Sequence, residues 1–394
     1  MKITNGNLYL PDYHFHTGTI EIENEYISLV SAENHIMSNS SNLEPDNILD
    51  AGGCYVLPGL IDIHLHGCMG ADVCDATPEA LHTITAYQAS QGITGICTAS
   101  MTLPEQKLIP IMENAAAYSN TLPCADLLGI RLEGPFLSEA KCGAQNSAYL
   151  QKADLTLFET LQEKANGLIR IVDVAPEADT DCQFMQTVSE QCKVSLAHTA
   201  ADYSTCQKAF TAGASHVTHL FNAMNEFHHR KPGLIGAAYD TPACTVELIC
   251  DGIHVDAATI RMAFQLFTDA RIVLISDSMR ATGMPDGSYT LGGQTVKVCG
   301  NLATLNRACT LDSANSSNET LAGSVTHLMD CVRKAVSFGI PLESAIRCAT
   351  ATPSHCIGIA DKYGYLRPGH IANIVILNPD LSLRHVIIHG RLIL

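Results

Sequence analysis

The run Pro58-Gly59-Leu60-Ile61-Asp62-Ile63-His64-Leu65-His66-Gly67 is apolar and closes on two histidines one residue apart. Side chains on a strand alternate faces with a period of two, so His64 and His66 point the same way. Two imidazoles converging at a strand end, with a glycine directly after to turn the chain, make a clamp suited to a divalent metal. By itself the pair carries little weight, because two core histidines produce it by chance. Four further groups able to ligate a metal end later apolar runs: Glu133, His198, His219 and Asp277. Imidazole nitrogens and carboxylate oxygens are what zinc and similar ions take, and a catalytic site keeps one position open for water. A lone strand-end histidine in a chain with 17 histidines is more often structural. Six ligand-type residues at the ends of five strands are not explained that way, and they point to a metal site.

The elements that would position these groups alternate along the chain. Apolar, β-branched runs at 56–66, 93–100, 127–133, 168–174, 194–198, 216–221, 245–250 and 272–276 read as eight strands. Most intervals have helical spacing or composition, for instance 78–91, 104–118, 153–166 and 256–270. Alternation of this kind predicts parallel βαβ units, and eight of them predict a closed (β/α)8 TIM-type barrel. The catalytic groups of such barrels sit at the carboxyl ends of the strands. His64 and His66 then follow the first strand, Glu133 the third, His198 the fifth, His219 the sixth and Asp277 the eighth. Val325, Leu328, Met329, Val332 and Val336 share one helical face and suit a closing helix, and 289–298 reads as an inserted hairpin. An open doubly wound sheet is the alternative, but no Gly-X-Gly-X-X-Gly turn marks a dinucleotide site.

Both ends of the chain are rich in short strands: 7–10, 18–23 and 27–31, followed by a polar loop at 38–42, and 371–377 and 386–389 near the end. They predict a small β-sandwich-like domain built from both termini. The expected division is 1–55 and 361–394 for that domain, with the metal-dependent barrel at 56–360. The remaining histidines fall away by the same logic. His216 lies three residues before His219 and so faces the opposite side of a strand. His14, His16, His35, His385 and His389 fall in the terminal sheet, and His82, His327, His355 and His370 lack strand-end placement.

With 46% hydrophobic and 16% charged residues in 394, a sizeable core is available. The 23 Lys and Arg against 40 Asp and Glu give a net charge of −17, unsuited to nucleic acid or an anionic membrane surface. An anionic ligand must therefore meet a local basic cluster, since distant charge is screened beyond about 8 Å. His228, His229, Arg230 and Lys231 form one such local positive patch, which from the residues alone reads equally as a solvated loop. The 16 cysteines are scattered, with no Cys-X2-Cys pair, and the first residues lack the apolar core of a signal peptide. Free thiols in a reducing cytoplasm are expected. No apolar run reaches the ~18 residues of a membrane helix.

Residues 58–67, Leu132-Glu133-Gly134-Pro135-Phe136, Thr218-His219-Leu220-Phe221-Asn222-Ala223-Met224 and Asp251-Gly252-Ile253-His254-Val255 together resemble the N-acetylglucosamine-6-phosphate deacetylases of the amidohydrolase superfamily. The resemblance extends through Ser276-Asp277-Ser278-Met279-Arg280, Leu321-Ala322-Gly323-Ser324 and Arg367-Pro368-Gly369, nearly the whole chain. Dihydroorotase-like relatives commonly carry a carboxylated lysine on the fourth strand; 168–174 has none. The resemblance implies hydrolysis of the acetamide of a phosphorylated amino sugar in a cytoplasmic homodimer, with one or two divalent ions, zinc or iron. Glu133, His198 and His219 match the common metal ligands, and His64 and His66 match members that hold a second ion. Asp277 matches the catalytic carboxylate, Asn222, Ala223 and Arg230 the phosphate-binding positions, and His254 a substrate contact. Gln145 stands where some members place a substrate-contacting histidine, and Ser278 where alanine is commoner. The galactosamine epimer and other amidohydrolase substrates remain open, as does a non-catalytic barrel scaffold.

Overall fold

A computed structural model describes residues 1–32, 47–119, 123–305 and 320–394 of the chain; the polar loop read at 38–42 lies outside them. Eight parallel strands form one sheet in sequence order: β1 (Leu60–Leu65), β2 (Ile93–Ala99), β3 (Asp126–Leu132), β4 (Ile169–Val174), β5 (Lys193–Leu196), β6 (His216–Val217), β7 (Thr245–Ile249) and β8 (Ile272–Ile275). The ring closes at the carboxyl end of β8. There the Asp277 N–H donates to the His64 carbonyl at 2.9 Å and the His66 N–H to that of Ser278 at 2.8 Å. The Ser276 hydroxyl adds a bond to Asp62 Oδ2 at 2.5 Å. This is the (β/α)8 barrel expected from the alternating pattern.

The strands read as unbroken apolar runs because both of their faces are buried; every residue of β2 and β3 is buried. Inside the barrel, Ile61, Ile63, Cys97, Leu128, Ile171, Ile249, Val273 and Ile275 pack with Cys356 and Ile357. Outside, the helices Glu105–Ala117, Leu155–Lys164 and Ala257–Arg271 bury one stripe each: Leu108, Ile111 and Met112; Leu157, Phe158 and Leu161; Ile260, Ala263, Phe264 and Phe267. The spacing of three and four is that of a helix laid against a sheet. Two of these helices begin at aspartates, Asp154 and Asp256, whose carboxylates accept first-turn N–H groups. The closing helix spans Leu328–Ser337, so Val325 precedes it, and helices Leu342–Ala349 and Ala351–Cys356 follow.

The termini meet in one eight-stranded sheet that brings 2–32 together with 374–392. Along Phe15–Glu23, Gly18, Ile20 and Ile22 are buried in period two. With Ile3, Leu8, Ile27, Val56, Ile374, Ile376 and Ile387 they form a core separate from the barrel's. The run read as a single strand over 56–66 is two. Tyr55–Pro58 pairs with Lys2–Tyr9 and Ile374–Leu377 in the terminal sheet, and the barrel strand starts at Leu60. Gly59 separates them because a Cβ there would stand 2.0 Å from Thr94 Oγ1. The inserted hairpin is part of a three-stranded sheet, Gly287–Leu291, Gln294–Cys299 and Leu302–Leu305. Gln294 ties it to the barrel mouth by donating to the Ala144 carbonyl at 2.6 Å. Fifteen described cysteines are free thiols, and among the described residues no helix is long and apolar enough to cross a membrane.

Candidate metal-dependent active site

The strand-end groups converge on one carboxylate. Glu133 Oε2 lies 3.2 Å from His64 Nε2 and 3.1 Å from His66 Nε2. Its other oxygen, Oε1, lies 3.0 Å from His198 Nε2 and 3.5 Å from His219 Nε2. Asp277 Oδ1 closes the arrangement at 3.2 Å from His66 and 3.5 Å from His64. Two ligand triads therefore share Glu133: His64 and His66 on one side, His198 and His219 on the other. Of the six, His198, His219 and Asp277 each lie two residues past the end of their strand, with φ of 45°, 28° and 51°. Such left-handed backbone is uncommon outside glycine and gathers at functional sites. Here it turns the chain sharply enough to aim each side chain back over the barrel axis.

The surroundings fix what the imidazoles offer. His66 Nδ1 faces the Ala99 carbonyl at 2.9 Å, His198 Nδ1 that of Lys141 at 2.9 Å and His219 Nδ1 that of Asn222 at 3.2 Å. His64 Nδ1 instead faces Glu247 Oε2 at 3.0 Å. An acceptor opposite Nδ1 places the ring proton there, so a neutral ring turns its Nε2 lone pair toward Glu133. Lone pairs facing a carboxylate are stable only with a cation between them, whether proton or metal. For an ion bound at the usual zinc–nitrogen distance, tetrahedral ligand atoms stand about 3.3 Å apart, close to the spacings found here. The donor set thus fits a divalent ion.

Without such an ion, protons take its part. Burial pushes His64 down and Arg131 adds to that, but Glu247, Asp277 and Glu133 outweigh both and hold it up at about 10. Burial likewise opposes His66, which hydrogen bonds to Asp277 and Glu133 hold well above the usual imidazole range. Burial favours the neutral form of Glu133, yet the surrounding histidines, His64 foremost, keep it well below the ordinary carboxylate range. Asp277 is held low against burial by His64 and His66.

A second layer of charge lies beneath the ligands. Glu247, wholly buried on β7, also accepts from the His219 N–H at 3.1 Å. Its other oxygen takes Arg131 Nη1 and His216 Nε2. Arg131 in turn grips Asp173 through two bonds of 2.7 Å. None of these was singled out in the sequence as a site residue. His216, expected to face away from His219 along a strand, pairs with Glu247 in the interior; β6 ends at Val217, so the two-residue period does not reach His219. The available signal was Arg131, Asp173 and Glu247 standing among the mainly apolar residues of β3, β4 and β7.

The cluster opens into a cavity of about 480 Å³ whose wall includes His66, Glu133, His198, His219 and Asp277 and also Gln145, Asn222, Ala223 and His254. His254 Nδ1 donates to Asp251 Oδ2 at 2.7 Å, which sets the ring's orientation. Burial lowers its pKa, but Asp251 outweighs this and raises it. Gln145 is buried, its Oε1 accepting from the Thr102 N–H at 2.7 Å. Arg230 does not join them. A backbone bridge between His228 and Lys231 folds its loop into a tight turn. The exposed guanidinium lies 2.7 Å from His229 Nε2, beside a separate pocket shared with His228, Lys231 and Tyr203.

The profile of the Amidohydrolase family matches residues 55–393. The chain belongs to the amidohydrolase family. The N-acetylglucosamine-6-phosphate deacetylase of Bacillus subtilis (strain 168) is 34% identical over 394 residues, 98% of this chain and 97% of that protein. The N-acetylgalactosamine-6-phosphate deacetylase of Escherichia coli O157:H7 is 30% identical over 351 residues, 88% of this chain and 90% of that one. The crystal structure of N-acetyl-D-glucosamine-6-phosphate deacetylase from Mycobacterium smegmatis is similar with a TM-score of 0.88 at 28% identity, covering 100% of both chains. In this amidohydrolase the carboxylate between the histidine pairs is Glu133, at the end of β3, and β4 offers Arg170 and Asp173 but no lysine.

Proposed function

We propose that this amidohydrolase hydrolyses the acetamide of N-acetyl-D-glucosamine 6-phosphate to D-glucosamine 6-phosphate and acetate, a step of amino-sugar catabolism. The observation that carries the proposal is the pair of histidine triads around Glu133, with Asp277 beside them on a cavity wall. Full-length likeness to deacetylases of this substrate supports the choice of amide. The comparable likeness to the galactosamine-6-phosphate enzyme keeps that epimer as the second reading. A scaffold that had abandoned catalysis would have no use for six converging ligand-type side chains.

Glu133, His198 and His219 would hold one divalent ion and His64 and His66 a second, zinc or iron by their nitrogen and oxygen donors. When bound, such an ion supplies Lewis acidity toward the acetyl carbonyl and the attacking water. The proton work falls to Asp277. Glu133 has both oxygens turned to imidazoles, which among the described residues leaves Asp277 as the cavity-wall carboxylate able to carry a proton. It takes the proton from water as the new oxygen–carbon bond forms, and delivers it to the nitrogen as the carbon–nitrogen bond breaks. His254, oriented by Asp251, is placed to hold the sugar, and Gln145 contributes an amide to the same wall.

Asn222 and Ala223 mark the phosphate end. Arg230 is exposed and does not line its own chain's cavity, so we place it in the site of a second copy, as part of a homodimer. Free cysteines suit a cytoplasmic enzyme. The test is acetate release from both 6-phosphates and from unphosphorylated N-acetylglucosamine. The expected order has N-acetylglucosamine 6-phosphate highest in kcat/KM. Preference for the galactosamine epimer would transfer the assignment, and turnover of neither would end it.

A further inference from the structure

Of the four imidazoles around Glu133, three donate Nδ1–H to backbone carbonyls and His64 alone faces a carboxylate, that of Glu247. Glu247 is wholly buried and does not reach the cavity, so it touches neither substrate nor water there. Its Oε2 does two things at once. It faces the ring of His64 at 3.0 Å, and it accepts the backbone N–H of His219 at 3.1 Å, where the chain turns at a φ of 28°. One oxygen therefore braces a ligand from each triad. The opposite oxygen is held by Arg131 and by His216 Nε2 at 3.0 Å, and Arg131 is shared with Asp173. Each carboxylate in this buried group has a cationic partner, so Glu247 can stay ionised at no exposure to water.

We propose that Glu247 is a positioning residue that sets the affinity of the ion held by His64, His66 and Glu133, with Arg131 and His216 holding its opposite oxygen in place. A carboxylate behind a ligating imidazole fixes its tautomer and makes its other nitrogen a stronger donor; a carbonyl does so less. The ion on the His198 and His219 side has only the backbone brace from Glu247, so the two sites should respond unequally. This rests on the metal-dependent reading of the cluster but not on the identity of the sugar.

The test is a zinc titration of chelator-stripped full-length protein, scored by ion stoichiometry and affinity. Glu247→Gln keeps shape and removes the charge. The weaker or lost ion should be the second, with affinity down about 10–100-fold, while the first stays near the parent value. Arg131 keeps its two bonds to Asp173 in Glu247→Gln, but His216 Nε2 loses its carboxylate, so the double variant Glu247→Gln/His216→Gln serves as the folding-safe version; it should show the same selective loss. Glu247→Asp should recover part of the second-site affinity. A folded variant with both affinities unchanged overturns the proposal, as does equal weakening of both ions or a parent that takes up only one. A parent that releases no acetate from either sugar phosphate, yet loses its second ion selectively in the variants, would sink the proposed reaction and leave the role of Glu247 standing.

Discussion

Asp277→Asn is the most demanding substitution for the proposed mechanism. It keeps the size of the side chain and an oxygen for His66 at 3.2 Å and His64 at 3.5 Å, and removes only the group that exchanges a proton. Asp277 is 8% exposed at the cavity wall, and Glu133, the other carboxylate there, is occupied by imidazoles on both oxygens. Among the described residues no other carboxylate lines the cavity to take over. General acid–base catalysis by one positioned group contributes about 10²–10⁴-fold. A residue serving both proton transfers belongs at the upper end, so kcat should fall by about 10³–10⁴, or roughly 4–5.5 kcal/mol at 1.36 kcal/mol per decade. The assay is acetate release, with elemental analysis of the variant and calorimetric substrate binding alongside. Retained metal and binding with collapsed turnover is the expected pattern. If a metal-loaded variant that binds substrate turns over within about tenfold of the parent, below the range for a lost acid–base group, Asp277 is a ligand or a structural carboxylate and the proton route is wrong.

Arg230→Ala should raise KM for the phosphorylated sugar by one to two decades, about 1.5–3 kcal/mol for a charge-assisted contact, and leave the unphosphorylated sugar nearly unchanged; equal losses on both would make Arg230 structural. Metal affinity should rise with pH. His64 is held up at about 10 in the metal-free protein, so below that value an ion must displace its proton. Zinc titrations in mildly acidic and mildly alkaline buffers of different ionisation heat would show the release, and affinity independent of pH would contradict the shared-proton picture. Gly59→Ala should destabilise the fold by about 1–3 kcal/mol, as overpacking does, because the added Cβ meets Thr94 at 2.0 Å; an unchanged melting temperature would show that the junction relaxes freely.

The barrel was legible because parallel strands buried on both faces leave unbroken β-branched runs, and the convergence of the candidate ligands because each stands at the carboxyl end of such a run. The division at Gly59 was not legible. Tyr55–Pro58 and Leu60–Leu65 are equally apolar, and only pairing with Ile374–Leu377, more than three hundred residues on, sends the first into another sheet. The Glu247 network escaped for a similar reason. Its members come from β3, β4, β6 and β7, and a charge within Thr-Val-Glu-Leu-Ile shows no partner until the strands are side by side. His216 was set aside by counting along a strand that in fact ends at Val217. Arg230 lies in a basic run whose composition suits phosphate, but composition does not reveal that it stands off the cavity wall and beside a separate pocket.

The central claim is that the cluster around Glu133 hydrolyses an acetamide with a divalent ion. It is tested most directly by following acetate release from N-acetylglucosamine 6-phosphate before metal stripping, after it, and after zinc is restored, with ions per chain counted at each stage. Activity should vanish with the metal and return in proportion to the ions rebound, first at the Glu133, His198 and His219 triad. Undiminished acetate release from folded protein freed of metal would contradict the claim outright.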